Sequence, residues 1–164
     1  MTTEALIAQL LTTPEAPSAA TIDALHQLLD DSTIEESDPP LGVREAAALV
    51  KLSPHTLRYY ENEGLVRPAR NGSGYREYAA GDLRRLVFLT RMRVSGMTMQ
   101  DLKRYIRLVE QGDTTIAERR RIMLDQRDRI TRQLRELTLA LEATEYKIRS
   151  YGGPDLSSRP GQAD

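Results

Sequence analysis

The 164 residues include 40% apolar side chains but only 5% aromatic ones and no Trp, so any core is aliphatic and suits helices better than a β-sandwich. The absence of cysteine excludes disulfides, thiolate metal sites and cysteine redox sensing, and His26 and His55 alone are a poor basis for a zinc or haem site. The 23 Lys plus Arg nearly cancel the 24 Asp plus Glu, yet the charge is segregated: residues 1–40 carry −8, residues 41–110 carry +6 and residues 111–164 carry +1. A basic centre beside an acidic arm points towards nucleic acid, with a merely solvated surface as the alternative. No apolar run approaches the roughly 20 residues of a membrane span, and the start has no basic leader. A soluble cytoplasmic protein with no cofactor and no membrane partner is the expectation.

In chain order, two short amphipathic helices come first, over residues 1–13 (Leu6, Ile7, Leu10, Leu11) and 20–30 (Ile22, Leu25, Leu28, Leu29). Pro14 to Ser18 separates them, and Asp38-Pro39-Pro40 marks a linker. Val43 to Val50 then reads as a helix with Val43, Ala46, Ala47 and Val50 on one face. Lys51-Leu52 forms a turn, and Ser53-Pro54 opens a second helix as N-cap and first-turn proline. Gly64 ends that helix as a left-handed C′ residue. Two short helices joined by a tight turn make a helix-turn-helix pattern, which helical hairpins unrelated to DNA also show.

Leu65 to Pro68 and Tyr75 to Tyr78 read as extended segments around the Asn71-Gly72-Ser73-Gly74 loop, a β-hairpin wing. The glycines lack the strand-loop-helix context of a phosphate-binding loop. A helix follows over Asp82 to Ser95, ended by Gly96, and Thr98-x-x-Asp101 begins the next. After Gly112, Thr115-x-x-Glu118 can cap a last, long helix. Its sevenfold repeat runs through Ile116, Met123, Ile130, Leu137, Thr144 and Tyr151, with Arg120, Arg127, Leu134, Leu141 and Ile148 four residues after the first five. The seam is apolar from Ile130 to Leu141, which argues for a coiled-coil homodimer through Ile130, Leu134, Leu137, Leu141 and Ile148. The fold class expected is mainly α: a winged helix-turn-helix domain with a small β-hairpin wing, then a long coiled-coil dimerisation helix.

Leu57-Arg58-Tyr59-Tyr60-Glu61, Glu63-Gly64-Leu65-Val66-Arg67-Pro68 and Gly74-Tyr75-Arg76-Glu77-Tyr78 occur in that order, followed by Asp82-Leu83 and by Leu89 to Gly96. In these motifs the chain resembles the MerR (mercury-resistance regulator) family over roughly residues 41–151. The resemblance implies a winged helix-turn-helix that binds double-stranded promoter DNA and an antiparallel pair of long helices. It also implies that the dimer distorts an overlong promoter spacer so that RNA polymerase engages. One departure is Tyr78-Ala79-Ala80-Gly81, where the family places a hydroxyl residue after the wing tyrosine.

A recognition helix presents its N-terminal residues to base edges, which selects His55, Thr56, Arg58 and Tyr59, with Ser53 on a phosphate. The resemblance favours Arg58 and Tyr59 as contacts and makes Tyr60 structural. Arg76 with Tyr75 on the wing should meet the backbone or the minor groove, and Arg44 and Arg67 can neutralise phosphates. The domains expected are an acidic extension (1–40), the winged domain (41–111), the dimerisation helix (112–151) and a flexible tail (152–164).

Gly96 to Leu102, Tyr105, Gly112 to Thr115, Arg119 and Tyr146-Lys147-Ile148 resemble a subgroup answering aldehyde or nitrosative stress. Its cysteine sensor cannot be carried over to a cysteine-free chain. Tyr105, Arg119 and Tyr146 can line an effector pocket or serve structure alone, and no small-molecule effector is readable. The acidic extension is expected to compete with phosphate for Arg44, Arg58 and Arg76, to contact a partner, or to be idle. No nucleophile–base constellation, metal-ligand spacing or Walker loop supports an enzyme. The competing function is an architectural or segregation-type DNA binder without a transcriptional role.

Overall fold

The structure, a computed structural model, describes residues 1–12, 16–34 and 38–152. Most helices start at hydroxyl caps, where a side-chain oxygen satisfies an N–H that has no partner within the helix. Thr2 caps α1 (Thr3–Leu11), Ser18 caps α2 (Ala19–Leu29), Ser53 caps α4 (Pro54–Asn62) and Thr98 caps α6 (Met99–Glu110). Two starts lack such an oxygen: Gly42 before α3 (Val43–Leu49) and Ala79 before α5 (Ala80–Val94). There Glu45 and Asp82 reach back to the N-cap N–H at 3.1 and 3.0 Å, which is half of a capping box. Asp82 thus serves the Ala79 N–H, a different donor from the first-turn N–H that a hydroxyl at position 79 would cap. The last helix, α7 (Ile116–Ser150), departs from the cap expected at Thr115. That hydroxyl donates instead to the Leu108 and Gly112 carbonyls, at 2.6 and 2.8 Å.

The sheet is antiparallel and small. Its order is β1 (Leu41–Gly42), β3 (Arg76–Tyr78), β2 (Ala69–Arg70), with Leu41 opposite Tyr78 and Arg70 opposite Arg76. The wing's first strand is therefore Ala69–Arg70 rather than Leu65 to Pro68. Leu65 and Val66 are both fully buried as core residues, and Pro68 has no N–H to give a ladder. The third strand, β1, precedes the helix-turn-helix and adds to the wing from the far side of the motif. With Leu65 and Val66, the side chains of Leu57, Tyr78, Leu86, Leu89, Met97 and Leu102 form an aliphatic core closed by one tyrosine.

The acidic extension is folded onto this core. Leu6, Ile7 and Leu10 of α1 and Thr21, Ala24 and Leu28 of α2 are buried, whereas Ile22 and Leu29 face solvent. The buried face of α2 is rotated from the one expected, because small Thr21 and Ala24 allow a close approach. The two helices pack on each other and on α5, and α1 also meets α3. Residues Met1–Arg119 form one compact unit and Arg120–Asp164 a second. In the second unit, residues 131–152 are exposed along the whole helix. The tail beyond Gly152 and the breaker residues 13–15 lie outside the described residues. Among the described residues, no helix is long and apolar enough to cross a membrane.

Tyr78 is 0% exposed, yet among the described residues its hydroxyl has no hydrogen-bond partner. Tyr78→Phe should therefore hold or raise stability, by up to about 1 kcal/mol, since it removes only an unsatisfied hydroxyl. Burial also pushes the Tyr60, Tyr78 and Tyr105 phenols above their usual range. The unfolded chain releases these protons first. Stability is thus intact below the unfolded value near 10 and is lost as pH climbs through the raised folded values. Urea titrations from neutral to alkaline pH check both points, with a smaller alkaline loss expected in Tyr78→Phe.

Candidate nucleic-acid interface

The α4 helix divides its residues cleanly between core and solvent. Leu57 and Tyr60, three positions apart, are buried, and His55, Arg58 and Tyr59 are exposed. Tyr59 is 43% exposed with its ring 6.1 Å from that of Tyr60, so it stands at the edge of the core rather than in it. Arg58 Nε donates to the Pro54 carbonyl at 3.3 Å, which lays the side chain along the first turn. The Ser53 hydroxyl is already engaged: it accepts from the Thr56 N–H at 3.0 Å and lies 2.8 Å from the Thr56 hydroxyl. The same bonds hold Thr56 half-buried. Lys51, in the turn before α4, has a φ of 54°, unusual for a residue with a Cβ.

The wing loop is built by Asn71. Its side-chain oxygen accepts from the Ser73 and Tyr75 N–H groups, both at 3.0 Å, and its backbone N–H donates to the Tyr75 carbonyl. Gly74, at φ +82°, completes the reversal, a conformation that disfavours side chains. Tyr75 is 73% exposed beside it. Arg76 forms an ion pair with Glu61 of α4, joining the wing to the helix beside it. Arg70 Nη1 donates to the Gly74 carbonyl at 2.9 Å.

Between the start of α3 and the wing lies an open cleft of about 620 Å³, lined by Arg44, Glu45, Arg70, Tyr75 and Arg76 among others. Of its three arginines, Arg76 is paired with Glu61, and the one acid in the lining, Glu45, already serves the Gly42 N–H. The expected residues Arg44, Tyr75 and Arg76 thus come together, and Ser53, His55, Thr56, Arg58 and Tyr59 share α4. Arg67 does not join them. It makes a two-pronged bond to Glu110 of α6, at 3.1 and 3.2 Å, and that bond raises its pKa further. The expectation overlooked Arg70 and Glu61. The neighbouring Asn71-Gly72 turn was a signal for Arg70, whereas nothing local marks Glu61 as the partner of a residue 15 positions later.

Two of the effector-pocket candidates lie in the first unit. Tyr105 packs on Phe88 with ring centroids 5.3 Å apart, and Arg119 donates to the Gly112 carbonyl at 3.4 Å. Tyr146, in the second unit, is exposed. Among the described residues, no group of three His, Asp or Glu is placed to hold a metal ion.

Residues 42–109 match the family described as MerR HTH family regulatory protein. Over 120 residues the chain is 36% identical to the HTH-type transcriptional regulator HmrR of Rhizobium leguminosarum bv. viciae, covering 73% of this chain and 93% of that protein. The chain belongs to the MerR family. It is also 35% identical over 91 residues to the MerR-type regulator AdhR of Bacillus subtilis, covering 55% of this chain and 65% of that one. Among solved structures it is similar to HiNmlR, a MerR family regulator lacking the sensor domain, bound to promoter DNA. That likeness has a TM-score of 0.65 and 33% identity, and covers 68% of this chain and 90% of the other. This MerR-family chain is a DNA-binding transcription regulator. The family segment begins at β1, so α1 and α2 lie outside it.

The geometry separates two arginines that the sequence ranks alike. Arg44→Ala should make the slope of log affinity against log salt shallower by about 1, the signature of one lost phosphate contact. Arg67→Ala, whose charge is taken up by Glu110, should leave that slope unchanged. Fluorescence titrations on one DNA duplex across a salt series compare them directly.

Proposed function

We propose that the chain binds promoter DNA as a homodimer and distorts it to control RNA polymerase access. The supporting observation is the Glu61–Arg76 pair, which joins α4, with its exposed Arg58 and Tyr59, to the wing beside the cleft lined by Arg44, Arg70 and Tyr75. In this reading Arg58 reads a base edge or clamps a phosphate, with His55, Thr56 and Tyr59 beside it. At the start of α4 the His55 N–H is the donor left for a phosphate, since Pro54 has no N–H and the Thr56 N–H is taken by the Ser53 hydroxyl. Arg44 and Tyr75 hold the backbone, and Arg76, whose charge is shared with Glu61, sets the wing beside them. The MerR relative bound to promoter DNA supports the same partner.

The homodimer part rests on the second unit. Leu134, Leu137, Leu141, Ile148 and Tyr151 recur at spacings of three, four, seven and three, and all are at least half exposed in the single chain. With Ile130 they make an apolar stripe that a second copy would cover.

Arg58→Ala should weaken specific binding by about 1–3 kcal/mol while leaving the dimer intact. Mobility-shift titration with sedimentation of the same sample tests this, and unchanged affinity in a folded dimer excludes Arg58 from readout. Leu137→Asp should cost the dimer several kcal/mol by placing an unpaired carboxylate in a dry seam. Sedimentation equilibrium and footprinting of both half-sites should then fail together, whereas an undisturbed dimer overturns the seam. Footprinting combined with in vitro transcription distinguishes the regulator from an architectural binder.

A further inference from the structure

The helices outside the family segment are tied to both parts of the DNA-binding module. Arg84 of α5 is 2% exposed, and its guanidinium is spent wholly on the extension. Nε donates to Thr3 Oγ1 at 2.9 Å, and Nη1 donates to the Gln27 and Asp30 carbonyls and to Thr33 Oγ1 at 2.8, 3.0 and 2.7 Å. Nη2 donates to the Thr33 carbonyl at 3.1 Å. These acceptors are neutral, but two are carbonyls at the end of α2, where the helix dipole is negative. The Thr3 N–H donates to Asp38 Oδ2 at 3.0 Å, closing the extension on itself.

A second tie reaches the helix-turn-helix. The Lys51 ammonium donates to the Leu11 carbonyl at the end of α1, and Lys51 is the residue holding the left-handed turn between α3 and α4. The α5 helix follows β3 of the wing after a single residue, Ala79. Fixing α5 therefore fixes the wing, and fixing Lys51 fixes the turn that aims α4. Among the described residues, no acid of residues 1–40 forms an ion pair with Arg44, Arg58 or Arg76. The carboxylates of Asp30 and Asp38 are taken up inside the extension.

We propose that α1 and α2 are an intramolecular brace that holds the helix-turn-helix and the wing in one DNA-competent arrangement, with Arg84 and Lys51 as positioning residues. This rests on the DNA-binding reading above. Releasing the brace lowers the fraction of competent molecules, and apparent affinity falls in proportion. Electrostatic competition by the arm predicts the opposite, tighter binding on release.

The test uses full-length protein and a duplex enriched by the wild-type chain from a random-sequence pool. Arg84→Met should remove hydrogen-exchange protection from α1 and α2 while α5 and α6 stay protected. If about one molecule in five keeps the competent arrangement, binding weakens about fivefold with an unchanged salt slope. Thr3→Val, a milder cut at the same hub, should shift both readouts in the same direction and covers the case in which Arg84→Met fails to fold. Lys51→Met should weaken binding at constant salt slope, and Lys51→Arg should restore it. The brace is overturned if α1 and α2 lose protection while affinity stays the same or rises, or if they keep their protection in both hub variants. A slope shallower by about 1 in Lys51→Met makes Lys51 a phosphate contact and removes it as a positioning residue. Failure of the wild-type chain to enrich any duplex would instead sink the DNA-binding reading itself.

Discussion

A wing of three strands, two of them only two residues long, cannot hold its own shape. Its position depends on what anchors it. Tyr78 fills the core from the last position of β3, and two residues earlier Arg76 is paired with Glu61 of α4. Alternation along the strand sends these two side chains the same way, one into the interior and one along its rim. The wing and α4 are therefore coupled through this pair. A change in either tilts the other.

Much of this was legible from residue chemistry. Ser53-Pro54, Thr98 and the glycines at positions 64, 96 and 112 punctuate the helices where caps and left-handed residues belong, and the structure follows them. The outward set on α4 was readable because Leu57 and Tyr60 fall on one face. Short strands were less so. Leu41–Gly42 has no periodicity to read, and Leu65-Val66 looks extended whether it joins a ladder or plugs a core. Thr115 looked like a cap, but a hydroxyl can donate as easily as accept, and here the nearby carbonyls claimed it.

Arg84 was the least legible residue. In sequence it is one of four arginines on a basic helix, with nothing to set it apart from Arg85, Arg91 and Arg93. Its five acceptors lie 51 to 81 positions away, and three of them are backbone carbonyls, which no residue pattern advertises. The apolar faces of α1 and α2 did announce that something covers them. What the sequence could not say is that the cover is α5 and α3 of the same chain. Segment charge is silent on this point, since −8 beside +6 implies attraction but not which surfaces meet. The contact that formed is between apolar faces, fastened by a buried cation that uses carbonyl dipoles rather than carboxylates.

The exposed leucines of α7 have a consequence at the level of the cell. In the homodimer proposed above, a stripe with Leu137 at 67% exposure in the lone chain is covered by encounter with another copy. While the protein is scarce, the paired form grows with the square of its abundance. On that proposal, a modest rise in expression yields a disproportionate rise in the paired species. Gene dosage and synthesis rate become inputs to the regulator in their own right, whether or not a small molecule ever binds it.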